Sequence, residues 1–105
     1  MYPDIDKARA QHAALRKIVE CHVGAADWRA LHRVLDLCRH AAVAIEDRYC
    51  RDKLRLVEDF CAEMFCHGES RAPLLRQRIL DALDLFASRL YSLETRRRAG
   101  TLTGC

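Results

Sequence analysis

The stretch from Asp27 to Cys66 contains neither glycine nor proline, and most of it repeats apolar side chains at alternating intervals of three and four residues. The repeat holds without a miss at seven positions: Trp28, Leu31, Leu35, Cys38, Ala42, Ile45 and Tyr49. This spacing is that of an α-helix that buries one stripe of its surface against other helices. We therefore expect a helical protein in which this segment is the central element.

Two further segments carry the same spacing, one on either side of the central segment. The first begins after Asp4, whose carboxylate can accept backbone N–H groups, and ends before Gly24, a residue suited to the left-handed position after a helix. Its stripe consists of Ile5, Ala8, His12, Leu15, Val19 and His22. The stripe of the last segment consists of Leu75, Ile79, Ala82, Phe86, Leu90 and Leu93. These patterns predict helices over residues 4–23, 27–66 and 71–98 and a flexible tail over residues 99–105.

Composition supports a single helical domain. The chain has 105 residues, of which 50% are hydrophobic and 31% are charged, with only four glycines and two prolines. This length is near the commonest domain size, and this balance favours a soluble helical protein over a disordered or β-rich one. We expect one all-α domain over residues 1–105. Because only residues 24–27 separate the first two helices, these should run antiparallel, with Asp27 capping the second.

Two all-α architectures fit the central segment. In the first, the helix over residues 27–66 is continuous, and the antiparallel bundle has three helices with a long central one. In the alternative, the helix breaks near residues 50–53, where the apolar stripe shifts by about a quarter turn, and the bundle has four helices. We favour the continuous helix, because a break without glycine, proline or a well-placed capping residue leaves the backbone groups of two helix ends in need of partners.

A continuous central helix predicts a homodimer. Its length would be about 60 Å against about 27 Å for the first helix, at 1.5 Å per residue, so much of it would lack a partner within one chain. A second copy of the chain would cover this overhang. The residues that we expect in the interface between copies are Tyr49, Leu56, Phe60 and Met64.

The expected environment of the chain follows from its cysteines and from the signals it lacks. No stretch approaches the roughly 20 apolar residues that a bilayer requires, and no basic patch followed by an apolar run marks a secretion signal. Five of the six cysteines fall in helical segments, so we expect free thiols. With 15 arginines against three lysines, as is typical of a GC-rich bacterial genome, the sequence predicts a bacterial cytoplasmic protein without a membrane segment.

Histidine and acidic side chains on the central helix form one candidate metal edge. His32, Asp36 and His40 follow one another at intervals of four residues and so lie in a row along one flank. The outer two are roughly 12 Å apart along the helix axis, so a closed metal site would need ligands from another helix. We favour a solvated face on which Asp36 pairs with protonated histidine.

His12 and His22 lie instead on the apolar stripe of the first helix. Imidazoles inside a bundle can hold iron or zinc, but we favour hydrogen-bonded histidines at the core or its rim, with a pH-sensitive contact as a further reading. Cys21, Cys66 and His67 complete the zinc candidates, and they would meet only across a dimer or in a strongly folded-back chain. We predict no bound metal and no cofactor.

Basic residues are concentrated in the last segment. Residues 71–105 contain seven Lys and Arg against three Asp and Glu, whereas residues 1–70 contain eleven against twelve. The candidate phosphate-binding residues are Arg89, Arg96, Arg97 and Arg98. Cations in a final helical turn also interact favourably with the helix dipole, so nucleic-acid binding is an alternative and not our leading hypothesis.

No catalytic or nucleotide-binding motif stands out, and we do not expect an enzyme. The three stripes offer more apolar helix surface than a three-helix chain of this length can bury alone, and such surplus surface marks an interface. We therefore predict a small non-enzymatic helical protein that acts through protein–protein interaction and self-association, of regulator, adaptor or chaperone type. The alternatives are a nucleic-acid-associated accessory protein and a metal-binding helical bundle.

Overall fold

Four α-helices make up the described part of the chain. The computed structural model describes residues 4–22, 26–67 and 72–103, and for residues 67 and 98–103 it describes the backbone alone. The helices are α1 (Ile5–Cys21), α2 (Trp28–Ile45), α3 (Arg48–His67) and α4 (Ala72–Thr103), and no strand occurs in these ranges. The all-α prediction is confirmed. The three-helix bundle is wrong, and the four-helix alternative has the observed number of helices.

The helices form an elongated antiparallel bundle, 54 Å long and 21 × 20 Å across. α1 packs against α2 and α4, and α3 packs against the same two helices. The apolar stripes of all four helices join in one core. Its largest fully buried side chains are those of Phe65, Phe86, Leu15, Leu54, Met64 and Ile79.

Two residues, Glu46 and Asp47, separate α2 from α3. Glu46 adopts the left-handed conformation, with φ 52° and ψ 35°, and its N–H donates to the carbonyl of Ala42 at 2.9 Å. Asp47 then begins α3, because its carboxylate accepts the N–H of Cys50 at 3.0 Å and its carbonyl accepts the N–H of Arg51 at 2.9 Å. The backbone groups at both helix ends are thus partnered without glycine or proline, and the break lies three residues before the predicted range 50–53.

The side chain of Arg89 reaches from α4 to the same carboxylate. Its Nε donates to Oδ2 of Asp47 at 3.1 Å and its Nη2 donates to Oδ1 at 2.9 Å. The two side chains are only 15% and 26% exposed, Asp47 being the more buried. The hydrogen bonds from Arg89 hold the pKa of Asp47 at about 2, so the carboxylate remains charged at any physiological pH.

Two other aspartates join helix ends to each other. Asp4 and Asp27 cap α1 and α2 by accepting the N–H groups of Lys7 and Ala30, each at 3.0 Å. The backbone N–H of Asp4 donates to the carbonyl of Ala44 at 2.9 Å, and that of Asp27 donates to the carbonyl of Phe65 at 3.1 Å. Each cap therefore also satisfies a carbonyl in the last turn of a neighbouring helix. Both predicted capping residues are confirmed.

α4 is the longest helix, with 32 residues. It continues through Gly100 to Thr103, so the predicted end near Arg98 is wrong. A glycine inside a helix costs about 1 kcal/mol relative to alanine, which does not by itself end a helix. Gly24, the loop residues 68–70 and the last two residues of the predicted tail lie outside the described residues.

We expect D47A to lower the free energy of unfolding by about 2 kcal/mol, because it removes a helix cap and leaves Arg89 without its partner. D47N should cost about half as much, since an asparagine amide still caps a helix. Urea denaturation followed by circular dichroism near neutral pH measures both. The matched control is D36A, at an exposed position inside α2, with an expected change within about 0.5 kcal/mol. Equal losses for D47A and D36A would contradict the role of Asp47.

Glycine at position 46 should stabilise the bundle. A non-glycine residue in the left-handed region carries a steric cost of roughly 1 kcal/mol that glycine avoids. E46G should therefore raise the denaturation midpoint, whereas E46A, which keeps the Cβ atom, should leave it nearly unchanged. A lower midpoint for E46G than for E46A would show that the left-handed residue is not strained.

Candidate functional site

One side of the bundle exposes apolar and cationic side chains from two adjacent helices. We call this surface the α3–α4 face, and it comprises Tyr49, Lys53, Leu56 and Phe60 of α3 and Leu74, Arg78, Leu85 and Arg89 of α4. Helical spacing places each set of four on one side of its helix. Four of its five large apolar side chains are substantially exposed, from 38% for Leu56 to 50% for Leu74, and Phe60 is partly buried.

Cations lie over both aromatic rings of this face. The Nζ atom of Lys53 is 5.1 Å and the Cζ atom of Arg89 is 5.8 Å from the centre of the Tyr49 ring. The Cζ atom of Arg78 is 6.0 Å from the centre of the Phe60 ring. Such contacts are worth about 0.5–1 kcal/mol at exposed sites. The two arginine contacts join α3 to α4, and the Lys53 contact lies within α3.

The four residues that were expected in an interface differ in how exposed they are. Tyr49 and Leu56 are exposed, and Phe60 is partly buried beneath Arg78. Met64 is fully buried in the core of one chain and is not available to a second copy. The prediction for Met64 fails because the buried stripe of α3 runs through Leu54 and Val57 and not through Leu56.

Other exposed apolar side chains are distributed over the rest of the bundle. Val43 is 68% exposed and lies on the side of α2 opposite its buried stripe. Trp28 lies in the first turn of α2, and Tyr91 lies on a different side of α4 from Leu85. Isolated exposed apolar residues are normal in globular proteins, so these three do not define a site.

The histidine row on α2 lies in solvent. His32, Asp36 and His40 are all exposed, which fits the solvated face that we favoured. In the part of the chain that the structure describes, no group of three His, Cys, Asp or Glu side chains is placed to hold a metal ion.

His12 and His22 both lie against aromatic rings of other helices. The His12 ring centre is 6.1 Å from that of Phe86 on α4, and the His22 ring packs edge-on against Phe65 of α3 at 4.4 Å. The Nε2 atom of each histidine is buried and has no hydrogen-bond partner. Burial lowers the pKa of both imidazoles. Both imidazoles thus lie at the edge of the core, as expected. His12 forms a hydrogen bond with the backbone of Leu83, whereas the Nε2 atom of each ring has no partner.

The break after α2 brings the predicted Cys-His pairs to one end of the bundle. Because α1 and α3 run in the same direction, Cys21 and Cys66 both lie near helix ends at the side where His22 contacts Phe65. Cys21 is nevertheless exposed whereas Cys66 is partly buried, and the side chain of His67 lies outside the described residues. These residues share one end of the molecule without forming a ligand cluster among those described.

Three thiols are buried in the core, at Cys38, Cys50 and Cys61. Burial raises the pKa of Cys50 to about 12 and that of Cys61 to about 12, and it raises the pKa of Cys38 as well. The thiolate is the nucleophilic form of cysteine, so these side chains act as small apolar groups.

The predicted arginine cluster is divided in the structure. Arg89 is engaged by Asp47, while Arg96 and Arg97 are exposed near the end of α4. The side chain of Arg98 lies outside the described residues. Nucleic-acid binding through these residues stays a prediction, now without the contribution of Arg89.

Across the described ranges, no helix combines the length and apolarity needed to cross a membrane. No protein-family model, curated protein or solved structure matches this chain.

The burial of the thiols predicts their order of labelling. In the native protein, an alkylating reagent should modify Cys21 rapidly and leave Cys38, Cys50 and Cys61 unmodified, because burial disfavours their thiolates. Peptide mass mapping after timed labelling measures each site, and labelling in urea is the control that should modify all of them. Fast native labelling of Cys38 or Cys61 would contradict the packing between α2 and α3.

Proposed function

We propose that this protein is a non-enzymatic interaction module that associates with a second copy of itself through the α3–α4 face. The observation that carries the proposal is the row of half-exposed apolar side chains on two adjacent helices, Leu56 of α3 with Leu74 and Leu85 of α4. Single exposed leucines need no explanation, but a contiguous set beside ordered aromatic rings is typical of an interface.

The outer surface of α2 provides a comparison within the same molecule. From His32 to His40 the outward positions of α2 are polar, and Val43, the exposed apolar residue that follows on this side, is isolated. A bundle helix needs only polar residues at its solvent-exposed positions, but α3 and α4 carry leucines at such positions. The difference supports a specific role for the α3–α4 face, because solubility alone would favour polar residues at these positions.

The charges around the face support a second copy as its occupant. Lys53 and Arg78 lie between the two helices, while Asp52 and Asp59 flank Leu56 on the outer side of α3. None of these four residues forms an ion pair with another described residue. A second copy brings carboxylates and cations of the same kind, so the two signs can meet across the interface.

The size of the face fits a weak dimer. The face extends about 22 Å along α4, from Leu74 to Arg89, and the bundle is 21 Å wide. It thus offers about 450 Å² per copy, or about 900 Å² in total, which is the size of a weak, transient interface. We therefore expect a reversible dimer whose population depends on concentration.

Light scattering after size exclusion tests this proposal over a range of protein concentrations. The wild-type protein should approach twice its monomer mass of 12.1 kDa as concentration rises. L56E and L85E should each remain at the monomer mass, because a charged group without a partner is costly to bury. Circular dichroism confirms that each variant is folded.

V43E is the matched control, since Val43 is at least as exposed but lies on α2. It should dimerise like the wild type. A wild-type protein that stays monomeric at the highest concentration would overturn self-association, and a V43E variant that is as monomeric as L56E would place the interface elsewhere.

A further inference from the structure

Buried polar atoms without partners are concentrated on α1 and where its end meets α4. In the described part of the chain, the buried side-chain nitrogens and oxygens that lack a hydrogen bond are Gln11 Oε1, His12 Nε2, His22 Nε2 and Arg76 Nε. The first three lie on α1 or directly after it, and Arg76 of α4 donates a hydrogen bond to the carbonyl of His22. We call the boundary between these two helices the α1–α4 seam.

His12 lies in this seam beside a cation. Burial lowers the pKa of His12, and the nearby charge of Arg16 lowers it further. A hydrogen bond with the backbone of Leu83 and the carboxylate of Asp84 raise it. Asp84 is already engaged, because Nη1 of Arg16 donates to its Oδ1 at 2.7 Å. A protonated His12 would therefore have a buried, unpartnered N–H and a guanidinium as its neighbour.

His22 has a similar environment at the other end of α1. Burial is the main cause that lowers the pKa of His22. The nearby guanidinium of Arg76 lowers it further, and the carboxylate of Asp27 raises it. The carboxylate of Asp27 already accepts the N–H of Ala30 as the cap of α2. On the remaining side, His22 packs edge-on against the ring of Phe65, which offers no hydrogen-bond acceptor in its plane.

α1 is also the helix with the smallest apolar anchor. Its buried apolar residues are Ile5, Ala8, Leu15 and Val19, and Gln11 occupies the remaining position of its stripe. Its ion pairs with α4, Arg9–Glu94 and Arg16–Asp84, involve partly exposed side chains that contribute little. Because little apolar surface anchors α1, its docking is more sensitive to protonation of His12 and His22 than the docking of a more apolar helix would be.

We propose that α1 is an acid-released helix: protonation of His12 and His22 as the pH falls from 7 towards 5 detaches α1 from α4 while α3 and α4 stay joined. The direction follows from linkage. The unfolded histidines have the higher proton affinity, so docking is fully stable above their ordinary pKa and weakens as the pH falls through it. The pair between Asp47 and Arg89 keeps its charges over this range, because the pKa of Asp47 is about 2.

Hydrogen exchange at pH 7.5 and pH 5.5, resolved by peptide and corrected for intrinsic rates, tests this inference. Protection of α1 amides should fall by roughly tenfold or more at the lower pH, while peptides from the α3–α4 hairpin keep their protection. Unchanged α1 protection would overturn the proposal, and so would a simultaneous loss in all four helices. This readout does not require the α3–α4 face to bind anything.

Substitutions separate the seam histidines from the others. The double variant H12Q/H22Q, which cannot be protonated at these positions, should lose the pH dependence of α1 exchange. The matched control H32Q/H40Q changes two exposed histidines of α2 and should respond as the wild type does. Persistence of the response in H12Q/H22Q would assign it to other groups. If that variant does not fold, an NMR titration of the wild-type imidazoles decides, since ordinary titration of His12 and His22 would refute the proposal.

Discussion

The four-helix arrangement depends on the carboxylate of Asp47. This single group caps the first turn of α3 and receives both hydrogen bonds of the Arg89 fork. It thereby joins the turn between α2 and α3 to Arg89 of α4, which lies 42 residues later in the chain. The left-handed Glu46 alone would give a turn of uncertain direction, whereas the pair with Arg89 fixes where α3 points and which side of it meets α4.

Local signals allowed most of the helices to be predicted from sequence. Asp4 and Asp27 are recognisable caps because each precedes an apolar repeat after a short turn, and both act as expected. A break near residues 50–53 was only the alternative prediction, because neither Glu46 nor Asp47 interrupts a helix by itself and the deciding partner, Arg89, is distant in sequence. Because α3 is a separate helix, its buried stripe is rotated relative to that of α2. This rotation explains why Met64 is buried while Leu56 is exposed.

The candidate sites were less predictable, because they depend on contacts between helices. Cys38 lies on the apolar stripe of the central segment and is buried, as that stripe predicts. Only the α3 side of the α3–α4 face was predicted from the sequence, because the exposed leucines of α4 lie off the apolar stripe that identified the last helix. Two boundaries now depart from an ordinary bundle. The α3–α4 face exposes apolar groups, and the α1–α4 seam buries polar groups. Such local departures are expected where a protein binds or changes conformation.

The unequal lengths of the helices give the molecule two different ends. Arg9 of α1 meets Glu94 of α4, so the backbone from about residue 98 to Thr103 extends past the first residue of α1. At one end of the rod the ends of all four described helices lie close together, and at the other α4 extends about one and a half turns beyond the described start of α1. A contact between copies at that end would therefore involve mainly the tip of α4, which offers much less surface than the 54 Å flank of the bundle.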